Sequence, residues 1–75
     1  MKHGRHDYDA KIQDNDGTIP ADEPVFLIRG QDALGHLAVE AYANLAEAAG
    51  NAPVAKRARE HAAWMKNWPN KKMPD

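Results

Sequence analysis

The tetrapeptide Gly50-Asn51-Ala52-Pro53 constrains this chain most, because it separates two segments whose apolar residues recur at helical spacing. Glycine readily takes the left-handed conformation that ends a helix, and asparagine is among the best residues for capping the start of one. Proline is tolerated in the first turn, where its missing N–H has no partner to lose. So short a joint predicts a mainly α fold, an antiparallel hairpin of two adjacent helices.

The spacing predicts a first helix from about residue 36 to residue 49, with Asp32 capping a turn at residues 33–35. Six residues share one face of this helix, which we expect to be its inner face: Leu34, Leu37, Ala38, Ala41, Leu45 and Ala48. The polar residues lie opposite: His36, Glu40, Asn44 and Glu47. Three further residues widen the apolar side beyond what one neighbouring helix covers: Val39, Tyr42 and Ala46.

The second predicted helix runs from the joint to about Asn67 or Trp68, and Pro69 stops it. Its apolar face is predicted to face the first helix: Val54, Ala58, His61, Ala62, Met65 and Trp68. Residues 69–75 read as a polar tail.

Residues 1–23 are polar and rich in Asp and Gly, which predicts a flexible N-terminal arm. Residues 25–28, Val-Phe-Leu-Ile, are apolar and β-rich and predict a short strand or extended strap ahead of the helices. A lone strand cannot satisfy its own backbone. This strap therefore pairs with residues 11–13, pairs with a second copy of the chain, or lies across the helices. The strap and the hairpin together form the predicted folded unit, residues 24–68.

Length and charge limit how such a chain is stabilised. Its 75 residues make at most one domain, and they include no cysteine, which excludes disulfides and thiolate metal sites. Small folds without these aids often rely on a partner chain. Residues 1–50 carry a net charge of −5 and residues 51–75 a net charge of +4. We expect the two parts to pack together rather than to mark a charged ligand.

The longest run of large apolar residues is the four-residue strap, far short of the ~20 residues that a membrane span needs. No apolar stretch follows the basic N-terminus, so we expect neither a secretory signal nor a membrane association. The sequence therefore predicts a cytoplasmic protein.

Two metal sites are conceivable. With Gly17 as its sixth position, an EF-hand loop would use Asp14, Asp16 and Glu23, but Ile12 stands at the first position and Pro24 where the exit helix should begin. The free amine of Met1 with His3 could hold Cu(II) or Ni(II) opportunistically. We expect a solvated Asp/Gly turn, no metal site and no cofactor.

Basic and aromatic side chains on the second helix and tail raise the possibility of nucleic-acid binding: Arg57, Trp64, Lys66, Lys71 and Lys72. Packing of the tryptophans on the fold is the simpler interpretation. An enzyme is not expected, because His36 and Glu40 form an ordinary surface pair and the chain has neither Ser nor Cys as a nucleophile.

Residues 19–32 read IPADEPVFLIRGQD and precede an alanine-rich helix that contains NLAEAAG. This resembles a group of small bacterial and prophage proteins that share an IP-x-DEPVFL-x-R segment ahead of two helices. The resemblance covers residues 18–68 and implies a bacterial or phage origin and a strap followed by helices. It carries no activity and no functional residues. Gly35-His36 stand here where the group's pattern leads us to expect a helix-starting proline.

The sequence thus predicts a small non-catalytic protein-interaction module, with an accessory or inhibitor role if the prophage resemblance holds. Its partner is a protein or a second copy of the chain, because the apolar surface exceeds what two short helices hide. The candidate interface residues are Val25, Phe26, Leu27, Ile28, Val39 and Tyr42. Nucleic-acid binding through the second helix and the tail is the alternative.

Overall fold

The computed structural model describes residues 2–3 and 11–74 of the chain. Its elements are, in order, β1 (Lys2–His3), β2 (Pro24–Val25), α1 (Gly35–Ala48) and α2 (Ala52–Asn67). The two helices pack along each other. This confirms the predicted mainly α fold, a helical hairpin preceded by a short strand.

The joint between the helices has the predicted geometry. Gly50 adopts a left-handed φ of 86°. Its N–H donates to the carbonyl of Glu47, and the N–H of Asn51 donates to the carbonyl of Ala46, both at 2.9 Å. The side chain of Asn51 accepts a hydrogen bond from the N–H of Val54 at 3.2 Å, so it caps α2. These bonds satisfy backbone groups that each helix end would otherwise leave free.

The start of α1 depends on Asp32. Its carboxylate accepts a hydrogen bond from the N–H of Leu34 at 2.8 Å, and its carbonyl accepts one from the N–H of Gly35 at 3.0 Å. The predicted turn is therefore confirmed, and α1 begins at Gly35, one residue earlier than expected.

The inner face of α1 consists of small residues. Gly35 and Ala43 are buried, and Val39 and Ala46, on the same face, are half-buried. The expectation that the leucines form the inner face is wrong, because Leu34, Leu37 and Leu45 are exposed. The buried residues of α2 are two alanines and one larger side chain: Ala55, Ala62 and Met65. Small residues let two helix backbones approach closely, whereas leucines on this face would hold the helices apart.

Gly35 marks a close approach between α1 and the rest of the fold. A Cβ atom at this position would lie 2.9 Å from Cγ2 of Ile28, 3.0 Å from the carbonyl oxygen of Arg29 and 3.1 Å from Cε of Met65. The strap therefore lies across the beginning of α1 and the end of α2. This is one of the three arrangements that the sequence left open.

β2 pairs in parallel with β1, with Lys2 opposite Pro24 and His3 opposite Val25. Residues 11–13, which we considered as a strand partner, are not in a strand. The C-terminal residues fold back onto the segment between strap and helix. The N–H of Lys72 donates to the carbonyl of Gln31 at 2.7 Å, and the N–H of Ala33 donates to the carbonyl of Lys72 at 2.9 Å.

Candidate functional site

The outward side of α1 carries a continuous apolar surface, which we call the outer stripe. Leu37 is 53% exposed and Leu45 is 69% exposed. Because an α-helix has 3.6 residues per turn, residues spaced by three, four and seven fall on one side. The stripe lies roughly opposite the buried face and consists of Leu34, Leu37, Ala38, Ala41, Leu45 and Ala48.

A polar contact links one flank of α1 to α2. A guanidinium nitrogen of Arg59, on α2, lies 2.6 Å from a carboxylate oxygen of Glu47 and donates to the side-chain oxygen of Asn44 at 3.1 Å. The hydrogen bond from Arg59 and its positive charge lower the pKa of Glu47. The hydrogen bond to Glu47 in turn raises the pKa of Arg59. This exposed contact lies on the flank of α1 that faces α2, whereas the leucines face solvent.

A second surface is an aromatic cleft of about 490 Å³ beside the C-terminal half of α2. The strap and the residues after it form one side, and α2 with the start of the tail forms the other. The rings of His61 and Trp64 meet edge to face with centroids 5.5 Å apart. The cleft is lined by Leu27, Ile28, Arg29, Gly30, Gln31, His61, Trp64, Met65, Trp68 and Asn70.

Lys71 ties the tail to the end of α2. Its ammonium group donates to the carbonyl of Gly30 at 2.8 Å and also to the carbonyl of Met65. A cation is favourable at a helix C-terminus, where carbonyl groups lack intrahelical partners. Among the residues considered for nucleic-acid binding, Lys71 thus has a structural role. Arg57, Lys66 and Lys72 are exposed, and Trp64 is 68% exposed.

The predicted interface residues differ in exposure. Phe26 and Tyr42 are 70% and 58% exposed. Val25 is half-buried in β2, and Leu27 and Ile28 are half-buried at the cleft. Val39 is half-buried on the same helix face as Gly35 and Ala43. The leucines of the outer stripe were missed as surface residues. The signal that could have revealed them is the recurrence of small residues on the opposite face at spacings of three and four.

Asp14 and Asp16 form the solvated turn that the sequence predicts. A carboxylate oxygen of Asp14 accepts from the N–H of Ile19 at 2.7 Å, and Asp16 accepts from the N–H and hydroxyl of Thr18 at 3.2 and 2.9 Å. Within residues 2–3 and 11–74, no three acidic or histidine side chains converge on a metal position. The proposed Cu(II) or Ni(II) site involves Met1, which lies outside the described residues, as do residues 4–10 of the predicted arm.

His36 is the described residue whose side chain has an unsatisfied buried atom. Its Nδ1 is buried without a hydrogen-bond partner, while the residue as a whole is half-buried. It lies in the first turn of α1, beside Gly35. The sequence contains neither Ser nor Cys.

No protein-family model, curated protein or solved structure matches this chain. The resemblance to small bacterial and prophage proteins therefore stays a prediction, together with the accessory or inhibitor role that it suggests. No helix in the described part of the chain has the length and apolar character needed to cross a bilayer.

Proposed function

We propose that this chain is a non-catalytic protein-interaction module that docks through the outer stripe of α1. The observation that supports this is the exposure of three leucines in line on one helix face, bordered by alanines. Contiguous apolar patches of this kind typically mark interaction sites in soluble proteins. The absence of cysteine is compatible with a cytoplasmic location, which we include in the proposal.

The small interior supports the same proposal. Among the described residues, the buried apolar side chains are three alanines and Met65, and none larger than alanine is completely inaccessible. Full burial of a leucine side chain contributes about 1.5–3 kcal/mol, and three leucines that are 48–69% exposed realise only part of that stabilisation. Docking of a protein against the stripe buries the remaining apolar surface of these leucines, which favours binding.

The test uses thiols introduced into the cysteine-free chain, one on the stripe (L45C) and one on the exposed side of α2 (A63C). Each variant is expressed at native level in its host and treated with a membrane-permeant maleimide. We expect the L45C thiol to react more slowly than the A63C thiol in intact cells and equally fast after denaturation. Equal rates in the folded state would refute the proposal.

Nucleic-acid binding remains the second candidate because Trp64 presents an exposed indole on a helix that carries Arg57 and Lys66. Indoles stack on bases, and basic side chains neutralise phosphates. Fluorescence anisotropy with a labelled single-stranded oligonucleotide tests it. Binding should weaken with added salt and with W64A. Absence of binding at low salt would discard this function.

A further inference from the structure

We infer that the partner on the outer stripe is a second copy of this chain, with the two α1 helices packed antiparallel across a two-fold axis at Ala41. This inference rests on the proposed function and names its partner. The order of residues along the stripe, its lack of charge and the length of α1 support this partner.

The stripe is nearly symmetric about Ala41. Leu37 and Leu45 lie four residues before and four residues after it, and Leu34 and Ala48 lie seven residues before and after. In a two-fold contact, residue i of one copy meets residue j of the other, and the reverse contact is made as well. Antiparallel packing about Ala41 therefore places Leu37 against Leu45 of the second copy, twice. It also places Leu34 against the smaller Ala48, while Ala41 allows the helices to approach closely.

The charge distribution permits this contact. None of the six stripe residues is charged, so two copies bring no like charges together. Glu47 lies on the flank that faces α2, where it is paired with Arg59. The two helix dipoles oppose each other in an antiparallel pair, which is the favourable arrangement.

The length of α1 fits this contact. The 14 residues of α1 span about 21 Å, which is long enough for both leucine pairs.

The first experiment is analytical ultracentrifugation of the purified full chain from about 1 µM to about 500 µM, where mass action separates a dimer from a monomer. We expect a dimer whose thermal midpoint rises with protein concentration. L37K and L45E should each weaken it by at least about tenfold, because each places a charge in an apolar contact. A63E, on the exposed side of α2, should leave it unchanged.

Mixing variants tests the register. An equimolar mixture of L37K and L45E should restore the dimer, because the antiparallel arrangement places the new lysine beside the new glutamate. A mixture of L37K and L37E should not, because those positions meet only in a parallel pair. The inference would be overturned if only the mixture of L37K and L37E formed a dimer. It would also be overturned if neither mixture formed a dimer while circular dichroism showed all variants to be helical.

Failure of the inference and failure of the proposed function give different results. A wild-type chain that is monomeric at every concentration overturns the inference. If the L45C thiol is nevertheless protected in cells, the stripe binds another protein and the proposed function stands. If that thiol is unprotected both in cells and in the purified chain, both proposals fail.

Discussion

Replacing Gly35 by alanine should destabilise the fold, although alanine is the better helix former. The new Cβ would lie 2.9–3.1 Å from Ile28, the Arg29 carbonyl and Met65. Ordinary carbon contacts are about 3.5–4.0 Å, so each neighbour must move by several tenths of an ångström. The end of Met65 can rotate away, but the Arg29 carbonyl belongs to the backbone and cannot move alone.

Overpacking of this kind typically costs about 1–3 kcal/mol. The higher helix propensity of alanine stabilises the fold by at most about 1 kcal/mol relative to glycine, and by less at the first residue of a helix. We therefore expect G35A to lower the free energy of unfolding by about 1–2 kcal/mol. In a domain of this size, that corresponds to a melting temperature lower by about 5–15 °C.

The matched control is G30A. A Cβ at Gly30 would make ordinary contacts of 3.6 Å with the side chain of Trp68. This substitution should be neutral or slightly stabilising, since it also reduces the entropy of the unfolded chain. Both variants are melted by circular dichroism at the same protein concentration. A G35A variant as stable as G30A would refute the close packing of strap against helix.

Three further predictions concern polar contacts. Asn51→Ala removes the cap of α2 and should lower the free energy of unfolding by about 1 kcal/mol in urea titrations, whereas N51D retains an acceptor and should change it little. Lys71→Met keeps the aliphatic stem but not the two hydrogen bonds to backbone carbonyls, and amide hydrogen exchange should become faster at Lys72 and Ala33. The lowered pKa of Glu47 stabilises the fold above the pKa that glutamate has in the unfolded chain. That contribution is lost as the pH falls through the lower folded-state pKa, so an acid titration of E47Q should lose less stability over this range than the wild type. An identical acid response in the two proteins would contradict the role of Arg59.

The hairpin itself is predictable because its determinants are local. Gly50, Asn51 and Pro53 each act on the backbone within a few residues, and the structure places the turn, the cap and both helix ends within about two residues of expectation. Asp32 acts at similarly short range. Such signals do not depend on what the rest of the chain does.

The orientation of α1 was not predictable from hydrophobicity alone. The helix is apolar on two sides, and ranking by hydrophobicity places Leu37 and Leu45 inside. The structure instead buries Gly35 and Ala43, because the distance between the helices is set by the residues of both helices and by the strap together. The roles of Lys71 and Lys72 depend on contacts with residues about forty positions away in sequence. The pairing of β2 with β1 likewise joins residues about twenty positions apart.

The most direct test of a stripe that faces away from α2 is an isotope-filtered nuclear Overhauser experiment on a mixture of labelled and unlabelled chains. The methyl groups of Leu37 and Leu45 should show contacts between chains, to each other, and none to Ala55 or Ala62 within the chain. Methyl contacts from either leucine to those α2 alanines would mean that α1 is rotated and the leucines are internal. That result would contradict both the outer stripe and the dimer built on it.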